Sequence, residues 1–271
     1  MIHIHDSAPS RLDLALAQAP LGISRREAKR LIDELRVVVD GRLARIASRE
    51  VRRGGRIALL AGVPELPLLS LEPERVAIDK PPGLASQMPR RNGPLSVLEV
   101  LPAQLARAGE PHELWVVHRL DTGTSGVLLL ARTRREAARL SHRFAAHEIE
   151  KTYVARIHGR LESGLELGDP IARAGAARFT TSPSGRPART IVRPLEPGSD
   201  STLVAIEIAT GRTHQIRVHL AAAGHPIVGD VKYGGPSAAR LHLHAWRLAH
   251  PDLGRFEAPI PERLRPRLPP G

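Results

Sequence analysis

Residues 116–131 read Val116-Val117-His118-Arg119-Leu120-Asp121-Thr122-Gly123-Thr124-Ser125-Gly126-Val127-Leu128-Leu129-Leu130-Ala131. The apolar runs at both ends predict two buried strands, and the polar segment between them predicts a loop. A loop held between core strands keeps its side chains in a fixed place, as a functional site requires. Asp121 is its one carboxylate, while Gly123 and Gly126 would permit close backbone approach to a ligand. Spacing alone also allows a structural interpretation, in which Asp121 caps the amides of the turn.

Outward from this stretch, residues 75 onward show many short β-type runs that are interrupted by Gly and Pro. Alternation and β-branched content predict strands at 114–117, 126–131, 152–157, 190–193, 203–208 and 216–220. A helical spacing of apolar residues is clearest over 134–146. Few helices among many short strands agree with an α+β fold class but do not establish it.

The first sixty residues form a separate pattern. Ser24 and Glu27 have the spacing of a capping box, which predicts a helix start. Its apolar residues make one stripe, and its basic residues lie largely off that stripe: Arg25, Arg26, Lys29 and Arg30. The β-branched run at 37–39 ends in Asp40-Gly41, which predicts a hairpin. We therefore expect a small N-terminal domain at 1–61, a Pro- and acid-rich linker at 62–74, and a larger domain at 75–271.

The amino-acid composition indicates which classes of partner the chain can have. The formal net charge of +12 indicates a polyanionic partner such as nucleic acid, although solubility alone could also explain a basic surface. The absence of cysteine excludes disulfides, thiolate metal sites and cysteine nucleophiles. No apolar run reaches ~18 residues and the N-terminus lacks signal-peptide features, so we expect a cytoplasmic protein with no membrane partner.

Two family resemblances follow from these motifs. Ser24 to Ile32, the hairpin at 37–41 and Gly54-Gly55-Arg56-Ile57 resemble the S-four RNA-binding domain. His118-Arg119-Leu120-Asp121-Thr122-Gly123-Thr124-Ser125-Gly126 closely resembles the signature of the RluA-type RNA pseudouridine synthases. Four further segments match that family in its order: 77–84, Lys151-Thr152-Tyr153, 210–220, and the pair 225–230 and 241–245. The resemblance implies an α+β fold, in which a mixed, mainly antiparallel sheet is flanked by helices and has a central cleft.

The same resemblance implies the roles of residues. Asp121 would be the essential carboxylate, acting as nucleophile, base or electrostatic stabiliser. Arg212 is the candidate cation beside it, with Arg217 as the alternative; on a strand, these two would face opposite sides. Tyr153 would stack on the uracil that leaves the RNA helix. The remaining expected RNA contacts are Arg119, Lys151, His214 and Arg217 in the larger domain, and Arg25, Arg26, Lys29 and Arg30 in the smaller.

Several alternatives stay open at the level of sequence. Isomerisation changes no oxidation state, so we expect no cofactor and no metal, and we interpret most histidines as hydrogen-bonded or RNA-contacting. The arginines 132, 134, 135, 139 and 143 could follow phosphates or form a solvated helix face. We favour large-subunit ribosomal RNA over transfer RNA as substrate, and a monomer. The rival interpretation is a non-catalytic RNA-binding protein with the same fold, such as an assembly factor.

Overall fold

The structure is a computed structural model that describes residues 1–18, 21–88, 93–175 and 177–265. The N-terminal unit contains strands β1 (Ile2–His5), β2 (Ser10–Arg11), β3 (Val37–Val39), β4 (Arg42–Leu43), β5 (Glu50–Val51) and β6 (Gly55–Leu59), with helices α1 (Leu12–Ala17) and α2 (Arg25–Asp33). The larger unit contains β7 (Leu68–Leu71), β8 (Arg75–Lys80), β9 (Trp115–Val116), β10 (Ser125–Ala131), β11 (Glu150–His158), β12 (Leu165–Leu167), β13 (Ile171–Arg173), β14 (Phe179–Thr181), β15 (Thr190–Pro197), β16 (Ser201–Ile208), β17 (Leu243–His250) and β18 (Gly254–Glu257). Its helices are α3 (Val97–Arg107), α4 (Arg134–Ala145) and α5 (Gln215–Ala222), with 3-10 turns at Val231–Tyr233 and Glu262–Leu264.

The N-terminal unit confirms both of its local predictions. The hydroxyl of Ser24 accepts a hydrogen bond from the amide of Glu27 at 3.1 Å, and α2 begins at the next residue. Strands β3 and β4 pair across Asp40-Gly41, whose φ angles of 50° and 76° are those of a type I′ turn. The small sheet has the order β1-β6-β3-β4, and α1 and α2 cover one of its faces.

The other face of that small sheet packs on the larger unit. Val38 and Ala58 belong to the same hydrophobic cluster as Val97 and Leu101 of α3. At this contact Arg56 donates hydrogen bonds from Nε and Nη2 to the carboxylate of Glu99, at 2.9 and 3.3 Å. Only 4% and 1% of these two side chains are exposed, so a buried ion pair joins the two units.

The larger unit is built on one ten-stranded sheet. Its main path runs β12-β15-β16-β11-β17-β10-β8-β7, while β9 pairs with β10 and β18 pairs with β17. Neighbouring strands are antiparallel except β10 and β17, which pair in parallel. This mixed, mainly antiparallel sheet confirms the α+β prediction. The structure places strands in five of the six predicted β-type runs, and α4 in the predicted helical stretch.

The sixth run, 216–220, was predicted as a strand, and that prediction is wrong. Its apolar residues Ile216, Val218 and Leu220 alternate as they would on a strand, but they lie in helix α5. This helix is buried around most of its circumference, including at the polar residues Gln215 and His219. A helix without a polar face shows no helical spacing of apolar residues, which explains the misreading.

Part of the predicted linker also differs from expectation. Leu68–Leu71 forms strand β7, which pairs with β8 at the edge of the large sheet. Before it, the backbone of Leu66 exchanges two hydrogen bonds with the Gln104 side chain of α3, at 2.7 and 3.0 Å. The segment is therefore anchored rather than free. The domain limits 1–61 and 75–271 stay a prediction, and residues 266–271 lie outside the described residues. Within the described ranges, no helix is long and apolar enough to cross a membrane.

Candidate active site

The loop that carries Asp121 is fixed by hydrogen bonds on both sides of that residue. Before it, the amide of Leu120 donates to Ser86 Oγ at 2.9 Å, and that hydroxyl donates to the Leu120 carbonyl at 2.8 Å. After it, the carbonyl of Thr122 accepts from the amide of Gly83 at 2.7 Å. These hydrogen bonds fix the backbone of the loop, as expected for a loop between two buried strands.

Lys80 lies beneath this loop with a fully buried side chain. Its ammonium donates to the carbonyls of Leu84 and Pro81 at 2.7 and 2.9 Å. Burial lowers the pKa of Lys80 to about 7, because desolvation disfavours the charged form. Asp121 opposes that decrease, which places its carboxylate within electrostatic range of Lys80.

Gly126 allows two strands to pack closely and does not open the backbone to a ligand. Its φ is 108°, in a region that side-chain-bearing residues rarely adopt. An added Cβ would collide with the carbonyl oxygen of Ala245, where β10 and β17 pair in parallel. The expectation that Gly126 lets a ligand approach the backbone is therefore wrong for this glycine: it lets strand β17 approach.

Asp121 makes an ion pair inside a cavity. Its Oδ2 lies 3.1 Å from Nη1 of Arg217, and 22% of the Asp121 side chain remains exposed. The turn that follows uses the backbone carbonyl of Asp121, which accepts from the amide of Thr124 at 3.0 Å. The carboxylate is thus directed to a cation in the cavity, which favours the functional interpretation over the capping one.

Arg217 is itself held by a second carboxylate. Its Nε and Nη2 donate to the two oxygens of Asp230 at 2.7 and 2.8 Å, and only 1% of the Asp230 side chain is exposed. Burial lowers the pKa of Arg217, but the carboxylates of Asp230 and Asp121 outweigh it and raise the pKa overall. The bidentate carboxylate fixes the plane of the guanidinium, and Nη1, which Asp230 does not use, donates to Asp121 at 3.1 Å.

Arg212, the favoured sequence candidate for this role, does not pair with Asp121. It lines the same cavity, but its Nε donates to the carbonyl of Pro187 at 3.0 Å. The physical reason is the helix that replaces the predicted strand. Arg217 projects from the first turns of α5, whereas Arg212 lies in the preceding loop, whose backbone is tied to Gln215. The alternative partner, Arg217, is the one in contact.

His214 forms the N-terminal boundary of α5 in a left-handed conformation, with φ of 58°. Its Nδ1 lies 2.7 Å from the hydroxyl of Tyr233, and its Nε2 lies 3.6 Å from Asp121 Oδ2. Burial lowers the pKa of His214. A non-glycine residue in this conformation is uncommon and often marks a functional position.

Tyr153 lines the cavity with Asp121, and its role in stacking on a uracil stays a prediction. It lies on β11 next to a register shift against β17, and its ring packs against two hydrophobic clusters of the sheet. Burial raises the pKa of Tyr153, and the nearby Asp121 raises it further. The phenol is therefore protonated at neutral pH and offers both a flat ring and an O–H donor.

The other predicted RNA contacts fall in three places. Arg119 lines the cavity and is exposed. Lys151 lines a neighbouring depression, separated from the cavity by Ile208, which borders both. On α2, Arg25 pairs with Asp13 at 2.9 Å, and Arg30 pairs with two glutamates of its own helix. Two exposed cations of that helix, Arg26 and Lys29, have no ion-pair partner among the described residues.

The arginines in and next to α4 also fall into two groups, those in ion pairs and those exposed to solvent. Arg132, Arg139 and Arg143 pair with Glu110, Glu136 and Asp252, respectively. Arg134 and Arg135 are exposed at the start of the helix. Three of the five arginines therefore form ion pairs within the protein, and only Arg139 of these three fits a solvated helix face, because Arg132 is buried and Arg143 is mostly covered.

The histidines serve mainly as hydrogen-bonding groups. His219 is buried, with Nδ1 at 2.8 Å from Thr190 Oγ1 and Nε2 at 2.8 Å from the carbonyl of Asp169. Nε2 of His118 accepts from the amide of Leu129 at 2.9 Å, and its ring stacks on Phe144. In the described part of the chain, no three His, Asp or Glu side chains group as metal ligands would.

Sequence reasoning missed three residues of this site: Lys80, Asp230 and Tyr233. Each lies in a segment that was quoted for the family resemblance or next to one, at 77–84 and 225–230. Asp230, the acid at the end of 225–230, was the signal that could have been used. A buried arginine beside a carboxylate of the site needs a second anion to hold it. Nothing in the spacing showed that Arg217 would be that arginine.

Comparisons with known proteins identify the family of the chain and of its N-terminal domain. A family model described as RNA pseudouridylate synthase matches residues 74–222, more than half of the chain, and an S4 domain model matches residues 10–57. The ribosomal large subunit pseudouridine synthase D of Nitrosomonas europaea is 34% identical, over 94% of this chain and 82% of its own. The protein of that name from Salmonella typhimurium is 32% identical, over 94% and 88%. Among solved structures, human RNA pseudouridylate synthase domain containing 1 has a TM-score of 0.63 at 27% identity, covering 73% of this chain and 84% of that one.

Proposed function

The chain belongs to the RNA pseudouridylate synthase family, and on that premise we propose that it isomerises uridines of large-subunit ribosomal RNA with Asp121 as the catalytic carboxylate. The reaction breaks the bond between the ribose C1′ and uracil N1, turns the base over and joins C1′ to C5. The observation that carries the proposal is the contact between Asp121 and Arg217, which is fixed in turn by Asp230.

This contact suits each role that the carboxylate can take. A nucleophile, a base and an electrostatic stabiliser all require an ionised Asp121 that is aimed at the sugar. The guanidinium of Arg217 favours the ionised form and fixes its direction. Because Asp230 holds two other donors of Arg217, the arginine does not need to reorganise during the reaction.

Tyr153 supports the binding step. A uridine inside an RNA helix must leave the stack before a protein group can reach its C1′. The ring of Tyr153 borders the cavity with Asp121 and offers the flat apolar surface on which a uracil stacks. Its hydroxyl stays protonated, because burial raises its pKa, and so it is a hydrogen-bond donor available to a base in the cavity.

The choice of ribosomal RNA rests on the relatives and on the accessory domain. Two relatives above 30% identity carry names that specify the large ribosomal subunit. The S4-matching unit adds exposed cations at Arg26 and Lys29, and the whole chain has a net charge of +12. Such a substrate would place the enzyme in the cytoplasm. The expected monomeric state stays a prediction, which sedimentation of the purified protein would test.

The test uses RNA labelled with tritium at uridine C5, because pseudouridine formation releases that hydrogen to water. Purified wild type, Asp121→Asn and Glu162→Gln would be incubated with large-subunit ribosomal RNA, small-subunit ribosomal RNA and transfer RNA. Glu162 is a matched control, since 79% of its side chain is exposed. We expect release from large-subunit RNA by wild type and Glu162→Gln, and none by Asp121→Asn.

Each other outcome contradicts a stated part of the proposal. Equal release by wild type and Asp121→Asn would overturn the assignment of Asp121. Release from transfer RNA alone would overturn the substrate class. No release from any RNA, with binding retained, would favour the rival interpretation of a non-catalytic RNA-binding protein.

A further inference from the structure

We propose that Tyr233 is a positioning residue, whose hydroxyl fixes His214 in the neutral tautomer that directs Nε2–H toward Asp121. The inference rests on the proposed function of Asp121 and adds a second polar group to its surroundings. It starts from three contacts in a row: the amide of Phe179, the hydroxyl of Tyr233 and the ring of His214.

The direction of these hydrogen bonds follows from the donor inventory. The amide of Phe179 donates to the Tyr233 hydroxyl oxygen at 3.1 Å, so one lone pair of that oxygen is occupied. Tyr233 has a single O–H proton, and Nδ1 of His214 lies 2.7 Å away. Within the described residues, this nitrogen is the acceptor at hydrogen-bond distance from that O–H. Nδ1 therefore accepts, and a neutral imidazole then carries its proton on Nε2.

Nε2 is the nitrogen that faces the carboxylate. It lies 3.6 Å from Asp121 Oδ2, somewhat beyond hydrogen-bond distance in the absence of RNA. Catalytic hydrogen bonds are often long before substrate binds and shorten in the complex. The left-handed backbone of His214 at the start of α5 holds the ring in this direction.

The surroundings favour a neutral His214. Asp121 and Asp230 are the anions that face it, while Arg217 of its own helix and Lys232 of the 3-10 turn are the facing cations. The ring of Tyr233 is covered by the guanidinium of Arg217 at 5.0 Å and contacted by that of Arg178 at 5.7 Å. Burial is the main cause of the lowered pKa of His214; Arg217 and Lys232 lower it further, while Asp121 and Asp230 oppose the decrease. The O–H of Tyr233 also favours the neutral ring, because it donates to Nδ1 and leaves that nitrogen without a proton.

The test compares Tyr233→Phe, His214→Gln, the double variant and wild type in steady-state tritium release. Tyr233→Phe keeps the ring under Arg217 and removes only the hydroxyl. We expect kcat to fall about tenfold, the worth of one hydrogen bond, with KM within about twofold. The double variant is expected to be no worse than His214→Gln, because Tyr233 acts through His214. His225→Gln is the control and should match wild type, since the one hydrogen bond of its ring among the described residues is with the backbone carbonyl of His158.

Two further readouts separate positioning from a structural role. In Tyr233→Phe the neutral form of His214 loses a donor, so its protonation moves to higher pH, and the acidic limb of the kcat profile should move with it. Nitrogen-15 NMR should show His214 protonated on Nε2 in wild type, with its signal assigned by its loss in His214→Gln. Tyr233→Phe should populate the other tautomer.

An unchanged kcat in Tyr233→Phe, an additive double variant or an Nδ1-protonated His214 in wild type would each overturn the inference. If wild type modified no RNA while the NMR result held, the proposed function would fail and the hydrogen-bond chain would stand. If wild type modified RNA and Tyr233→Phe behaved identically, the reverse would follow.

Discussion

The cleft around Asp121 and the exposed face of helix α2 are both basic regions that the sequence assigns to RNA, yet their charges are arranged differently. In the cleft, 12% of the Arg217 side chain is exposed, and the carboxylate that holds it is 1% exposed. On α2, 58% of Arg30 is exposed, and its partners Glu27 and Glu34 are 39% and 44% exposed. The same type of ion pair is thus buried in one region and solvated in the other.

This difference indicates what each region does with its charge. Solvent screens an exposed pair, whose worth is about 0–1 kcal/mol, and its arginine can exchange a glutamate for a phosphate. Removing one partner of a buried pair leaves an uncompensated charge, at a cost of about 3–5 kcal/mol. We infer that the cleft uses charge to fix geometry, whereas α2 uses charge to attract RNA. The following changes test that division.

The largest effect is expected from Asp230→Asn. The substitution keeps the shape but removes the charge that holds Arg217, so Asp121 loses its fixed partner. We expect kcat to fall by about 10³-fold, the scale of a broken buried pair, with RNA affinity little changed. Glu34→Gln on α2 is the matched control and should leave kcat as in wild type. A kcat loss below tenfold in Asp230→Asn would show that Arg217 needs no second carboxylate.

The buried pair between the two units should behave like the cleft. Glu99→Gln leaves the Arg56 guanidinium, 4% exposed, without its carboxylate. We expect the free energy of unfolding to fall by about 3 kcal/mol in urea titrations. Glu65→Gln removes an exposed partner of Arg107, at 62% exposure, and should cost below about 0.5 kcal/mol. Equal losses in the two variants would mean that burial does not decide the worth of these pairs.

Lys80 supplies a prediction about pH. Its pKa is about 7 when folded and returns to its ordinary value near 10.5 when the chain unfolds. Between these values the unfolded chain binds the extra proton, so raising the pH stabilises the folded state. We expect the difference in unfolding free energy between wild type and Lys80→Met to shift by about 2 kcal/mol in favour of wild type from pH 7 to pH 9. A difference that stays constant over this range would contradict the lowered pKa.

The smallest effects are expected on α2. Arg26→Gln and Lys29→Gln should each weaken RNA binding by less than about 1 kcal/mol and reduce the slope of log affinity against log salt by about one. Arg30→Gln should do less, because its guanidinium is engaged with Glu27 and Glu34. Filter binding at several salt concentrations measures both quantities. A larger loss for Arg30 than for Arg26 would reverse the proposed use of this face.

Local patterns predicted much of this molecule. The strand–loop–strand around Asp121, the start of α2 at Ser24 and the Asp40-Gly41 hairpin are set by neighbouring residues, and the structure shows all three. The family resemblance carried by the motifs is confirmed by the matched family models. These are features in which sequence spacing and spatial spacing coincide.

What the sequence did not predict depends on long-range packing. Helix α5 reads as a strand because its burial comes from several distant elements, and the choice between Arg212 and Arg217 depends on that helix. Helix α3 was not predicted, although Ser96 and Glu99 form a reciprocal capping box at its start. Arg56 and Glu99 are 43 residues apart, and no local pattern relates them.

Arg217, and not Arg212, is the cation in contact with Asp121, the proposed catalytic carboxylate. The direct measurement is the single-turnover rate of tritium release by Arg217→Gln and Arg212→Gln on the same labelled ribosomal RNA at saturating enzyme. The structure predicts a loss of about 10³-fold or more for Arg217→Gln, because Asp121 and the buried Asp230 both lose their partner, and a much smaller loss for Arg212→Gln. Equal losses, or a larger loss for Arg212→Gln, would contradict the account.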